Sequence, residues 1–183
     1  MKVILAVFIV IAAVGLIWFT NQSDEAALST ESTQLPIISR QEILEASDLL
    51  DGVKQAVVQN DDEAVEDWLE KAADLAKTAG LPEQDIDYLQ SDKAQDYVVF
   101  QAKRSLFNDA LEKTYYALDD IDALKTRYPE AQDLFAKADQ LIVARDNIIT
   151  QIATELAQGA QPDDKAMNEA RMLWKQRFAA KTP

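Results

Sequence analysis

Residues 39–82 read SRQEILEASDLLDGVKQAVVQNDDEAVEDWLEKAADLAKTAGLP, and their periodicity decides the fold class. Ser39-Arg40-Gln41-Glu42 is a capping box: the Ser hydroxyl suits the third amide of a helix, and the Glu reaches back to the Ser amide. Behind it Ile43, Ala46, Leu50, Val53 and Val57 recur at steps of three and four, the spacing of one helical face. Asn60-Asp61-Asp62 breaks that helix and caps another, in which Val65, Trp68, Ala72, Leu75 and Ala79 repeat the spacing. Gly80 followed by Leu81-Pro82 supplies a glycine just past the helix and then a stop. Two helices with so tight a joint form an antiparallel hairpin.

The helical pattern continues to the C-terminus. After an acidic turn at 83–90, Ser91-Asp92 caps a run in which Phe100, Phe107, Leu111, Thr114, Leu118, Ile121, Leu124 and Tyr128 share one stripe. That stripe predicts a single helix over about residues 92–127, roughly 50 Å long. Pro129 ends it and opens the next helix, with Ala131, Leu134, Phe135, Ala138, Leu141, Ile142, Ile148, Ile149, Ile152 and Leu156 inward and Gly159 beyond. Pro162 opens a final helix whose apolar face is Met167, Ala170, Leu173, Trp174 and Phe178. Only 4 glycines and no alternating β-branched run beyond the first twenty residues leave little room for a sheet. The expected class is all-α: a single N-terminal transmembrane helix followed by a bundle of about five antiparallel helices.

The membrane expectation rests on residues 3–19, VILAVFIVIAAVGLIWF, which carry no charge and no strongly polar side chain. As a helix they span roughly 25 Å, just under a hydrocarbon core of about 30 Å, with Trp18 and Thr20 at the interface. A cleavable secretory signal also has a basic start and an apolar run, but small residues are missing just after this one, where the cleavage site belongs. Residues 1–20 are therefore read as an uncleaved signal anchor. Residues 21–38, rich in Ser, Thr and Gln, form a flexible linker spanning roughly 25 Å. Residues 39–183 form the helical-bundle domain, long enough for one real core. Lys2 precedes the span while Asp24 and Glu25 follow it, which keeps the N-terminus in the cytoplasm and sends the body across.

Absent residue types exclude most chemistries. The chain has 0 His and 0 Cys, which removes the commonest general base, the Ser-His and Cys-His pairs, thiolate chemistry and the favoured transition-metal ligands. No phosphate-cradling glycine motif and no G-x-S-x-G occurs. No catalytic, cofactor-binding or metal-binding residue is assigned, and the chain is read as not an enzyme. The acidic clusters Asp61-Asp62-Glu63 and Asp163-Asp164 suit helix N-termini. Glu83, Asp85 and Asp87 alternate as in a calcium loop but lack its glycine and distal bidentate Glu, and Asp119, Asp120 and Asp122 read as a solvated face. Arg145 falls on an apolar stripe, where its stem packs while its guanidinium pairs with a carboxylate on the facing helix or meets an acidic group on a partner.

Charge supplies the remaining signal. With 18 basic against 32 acidic residues the net charge is -14, which disfavours nucleic acid and anionic membrane surfaces. The C-terminal helix from Lys165 onward runs the other way: Lys165, Arg171, Lys175, Arg177 and Lys181 face a lone acid, Glu169. It either neutralises the acidic hairpin of residues 39–90 or presents Arg171, Trp174, Lys175, Arg177 and Phe178 to a partner, since aromatic and Arg residues favour interfaces. The expected function is that of a single-pass protein of the bacterial cytoplasmic (inner) membrane. Its periplasmic or extracellular helical domain binds another envelope or membrane protein as scaffold, assembly factor or accessory subunit. A ligand-sensing helical-bundle ectodomain is the alternative, with a small-molecule ligand that no motif specifies. A reporter fused after Pro183 is expected to be active only outside the cytoplasm, and mass spectrometry of the membrane-bound protein should find Met1 retained. A soluble mature chain starting near residues 15–21 would refute the anchor.

Overall fold

The computed structural model describes residues 38–179. The anchor expected at 1–20, and the linker as far as residue 37, lie outside the described residues. Within them every regular element is helical. The α-helices are α1 (Arg40–Leu44), α2 (Ser47–Gln59), α3 (Asp62–Thr78), α4 (Glu83–Leu89), α5 (Asp92–Ala117), α6 (Asp122–Arg127), α7 (Phe135–Leu156) and α8 (Asp164–Arg177), with a 3-10 helix at Pro129–Leu134. None of the described helices is long and apolar enough to cross a membrane.

The local signals act where the sequence places them. Ser39 and Glu42 form the capping box, with the Ser39 amide donating to Glu42 Oε2 at 2.6 Å. Asn60 adopts a left-handed conformation at φ 55 and closes α2, and the Asp61 carboxylate accepts from the Ala64 amide to open α3. At the far end of α3, Gly80 (φ 76) lets its own amide reach Lys77 O and the Leu81 amide reach Ala76 O, the paired bonds of a Schellman cap.

Three expectations need correction. The first helix is split: Glu45 and Ala46 leave helical geometry, Ala46 at ψ 132. Leu44 and Leu49 are both buried, yet five residues apart on one continuous helix they would point about 140° from each other; the break brings both inward. The predicted 92–127 helix ends at Ala117, because Leu118 turns left-handed at φ 67 and Asp120 Oδ1 accepts from the Asp122 amide at 2.7 Å. Aspartates that bond to nearby backbone compete with helix continuation. Pro129 opens a 3-10 helix, not the next α-helix, which starts at Phe135. Glu130 and Asp133 hold that segment against α5, with Lys103 Nζ 2.7 Å from Glu130 Oε1 and Arg104 bridging Asp133. Hydrogen bonding to Arg104 keeps the Asp133 carboxyl below its ordinary value; desolvation would raise that of Glu130, but Lys103 and a backbone donor overcome it.

Several stripes are also rotated from their expected faces. In α3 the buried residues are Val65, Leu69, Ala72, Ala73 and Ala76, while Leu75 is 50% exposed and Trp68 only half-buried. Phe100 of α5 and Leu173 of α8 are exposed as well.

The buried residues form three clusters strung along α5. The first joins α1 to α4 with Ala94, Val98 and Ala102 of α5. The second packs Phe107 and Leu111 against Ile121, Tyr128, Ala131 and Ala138. The third joins Ile149, Ile152 and Ala153 of α7 to Ala166, Ala170 and Trp174 of α8, with Tyr115 and Tyr116 from the end of α5. Lys54 of α2 and Asp109 of α5 meet at 2.6 Å beside the first two clusters, and that hydrogen bond raises the Lys54 ammonium's pKa.

Gly52 sits mid-helix in α2, where glycine costs about 1 kcal/mol relative to alanine. Its reason is steric: a Cβ there would overlap the indole of Trp68, which lies across the glycine with Lys71 Nζ 4.5 Å from its ring centroid. Gly52→Ala is expected to destabilise by about 1–3 kcal/mol through overpacking. In a Trp68→Ala background the same change should be neutral or favourable by up to about 1 kcal/mol. Denaturant melts of the four proteins measure the coupling, and strictly additive effects would show that the ring does not hold this position.

Candidate functional site

The sequence pointed to α8, and its geometry follows from a cap and a spacing. Asp163 accepts from the Ala166 amide at 2.8 Å and starts the helix. Ala166, Ala170 and Trp174, at steps of four, then form the buried stripe, with Met167 and Phe178 half-buried beside it. This stripe packs on α7 and the C-terminal end of α5, not on the acidic residues 39–90.

Trp174 is 2% exposed. Its ring lies 5.5 Å from Tyr115 and 4.7 Å from Phe178, and Tyr116 stands 4.8 Å from Phe178 and 5.3 Å from Tyr115, so four aromatic residues close the end of the bundle. Burial, then the neighbouring Tyr116, pushes the Tyr115 phenol above its ordinary pKa. The five candidate residues are thereby divided. Trp174 and Phe178 turn into the aromatic cluster, whereas Arg171, Lys175 and Arg177 are exposed. Helical spacing explains the division, since residues 171 and 175 lie about 40° apart and residue 174 falls outside that arc.

One further residue was not singled out from the sequence. Met172, 67% exposed, lies within about 100° of arc from Arg171 and Lys175, so an apolar side chain stands beside two basic ones on the outer face of α8. Leu173, 39% exposed, borders the other edge of that face. The signal for Met172 was present in the sequence, but only the true direction of the Trp174 stripe reveals it as outward.

Arg145 is the buried charged residue of the described core, at 5% exposed. Its partners differ from the expected carboxylate on a facing helix. Nε donates to Oδ1 of the adjacent Asp146 at 2.8 Å, and Nη1 donates to the Asp119 carbonyl at 3.2 Å, an oxygen left free by the break after α5. The acidic clusters do structural work: Asp61 and Asp163 cap helices, Asp85 pairs with Arg40 at 2.9 Å, and Asp120 accepts from the Asp122 amide just before α6. Among the described residues no group of three acidic side chains is arranged to hold a metal ion.

Among the described residues, two of the surface clefts are lined by Arg side chains. One of about 420 Å³ lies beside Arg40 and Tyr88; the other, about 270 Å³, lies between the α5 break, α7 and α8. With the geometry in hand, comparison with known protein families, curated proteins and solved structures finds no match to this chain.

Trp174→Ala is expected to cost about 3–5 kcal/mol, as for other buried large-to-small changes. Lys175→Glu on the outer face should stay within about 0.5 kcal/mol. Chemical denaturation separates the two, and a negligible loss for Trp174→Ala would place its ring outside the core.

Proposed function

We propose that this chain is a non-enzymatic, single-pass envelope protein whose extracytoplasmic helical domain binds another envelope or membrane protein as scaffold, assembly factor or accessory subunit. The observation that carries this reading is the outer face of α8. There Arg171, Met172 and Lys175 stand together, exposed, in a chain of net charge -14. A basic rim around an exposed apolar side chain suits an acidic partner surface, and complementary charge sets association rate and specificity more than affinity. The apolar stripes of residues 39–179 find partners among themselves, so the bundle needs no membrane to bury its core. The apolar run at 3–19 supplies the attachment and the acidic residues after it the direction.

The test uses the full-length chain, tagged at its C-terminus and crosslinked in its own membranes. Met172→Asp with Lys175→Glu should abolish recovery of the partner while the melting temperature stays put, and recovery by the unaltered chain should weaken as salt is raised. Undiminished recovery by the double variant would reject the α8 face as the interface.

A further inference from the structure

Where α5 breaks at Leu118, a cleft of about 270 Å³ opens toward α7 and α8. Its apolar walls are Leu118, Ile149 and Met167, and its polar groups come from Arg145, Asp146, Thr150 and Arg171. Arg145 reaches it from the core. A guanidinium carries five N–H donors, and within the described residues Arg145 commits Nε to Asp146 and Nη1 to the Asp119 carbonyl. No acceptor among those residues meets its Nη2. Arg171 comes from α8, where its Nη1 donates to Asn168 Oδ1 at 3.2 Å.

Two guanidinium groups against the single carboxylate of Asp146 leave the cleft with one positive charge, inside a chain of strongly negative sign. One positive charge matches a monoanion better than a dianion. The planar guanidinium of Arg171, with Nη1 on Asn168, keeps Nε and Nη2 to match a carboxylate, and Arg145 adds its Nη2. Leu118, Ile149 and Met167 add a small apolar contact beside it, and the volume falls just below the range of about 300–1,000 Å³ used by larger ligands.

We propose that this cleft binds a monocarboxylate bearing a small apolar group, with Arg145 and Arg171 on the carboxylate and Leu118, Ile149 and Met167 around the substituent. The carboxylate belongs either to a free small acid or to the C-terminus of a peptide ending in an apolar residue. Arg171 also stands on the docking face proposed above, but the test of that face leaves both arginines intact, so the two readings fail separately.

The experiment titrates the full-length chain, in neutral detergent micelles, with N-acetyl-leucine, its amide, inorganic phosphate and a tetrapeptide ending in leucine, read by calorimetry. The acid should bind saturably, with the amide and phosphate far weaker. Arg171→Ala should weaken the acid by about tenfold or more, the loss of a charge-assisted hydrogen bond, at unchanged melting temperature. Arg145→Lys keeps the charge but removes the Nη2 donor and should weaken it likewise; because Arg145 also holds the break, Arg171→Ala is the deciding variant. Tighter binding of the tetrapeptide than of N-acetyl-leucine assigns the site to a peptide terminus, and weaker binding assigns it to a free acid. The proposal is overturned by no saturable binding of either carboxylate, by equal binding of acid and amide, by phosphate binding as well as the acid, or by an Arg171→Ala protein that binds undiminished.

Discussion

Asp92–Ala117 is the element on which the other helices converge, and one constraint governs it: a 26-residue helix, about 39 Å long, must be buried on different faces at different heights. Ala94, Val98 and Ala102 follow at steps of four and face the first cluster. Phe107 comes five residues after Ala102, which turns the next buried face by about 140°, and Leu111 continues it. Small residues in the first half let α2 and α3 approach closely, while the larger Phe107 reaches Phe135, ring centroids 5.5 Å apart. A helix that changes its buried face midway shows no single clean stripe, and so Phe100, which fits a continued stripe on paper, faces solvent.

The break at Leu118 follows from the same geometry. A straight continuation would carry the chain away from the bundle, whereas a left-handed Leu118 turns it back so that Ile121 and Tyr128 enter the second cluster. The turn frees the carbonyl of Asp119, and Arg145 fills that need at the cost of burying a charge. The cost is moderated because Asp146 pairs with the same guanidinium and both of its engaged nitrogens have acceptors. Break, arginine and cleft thus lie together: the chain reversal creates the need for a donor, and that donor lines the cleft beside the break.

The α8 face shows how burial sorts functional candidates. Trp174 and Phe178 had the composition of interface residues, and the bundle uses them to close its own end around Tyr115 and Tyr116. What remains outside is charge with Met172. The partner proposed for that face would meet charge around a small apolar contact, which suits reversible association more than a permanent, hydrophobic interface.

The all-helical class, the capping box at Ser39, the Asn60-Asp61 joint, the Gly80 stop and the Asp163 cap were legible in the residues, because capping and left-handed turns depend on side chains within a few positions of one another. The uncharged apolar run at residues 3–19 is likewise a matter of local composition. Tertiary structure alone decided the break at Ala46, the end of α5 at Leu118, the rotation of α3 that leaves Leu75 outside, the inward fate of Trp174 and the partners of Arg145. Each of these depends on which face a distant helix covers. Steps of three and four define a face only to within about a third of a turn, and the choice inside that arc belongs to packing between residues far apart in the chain.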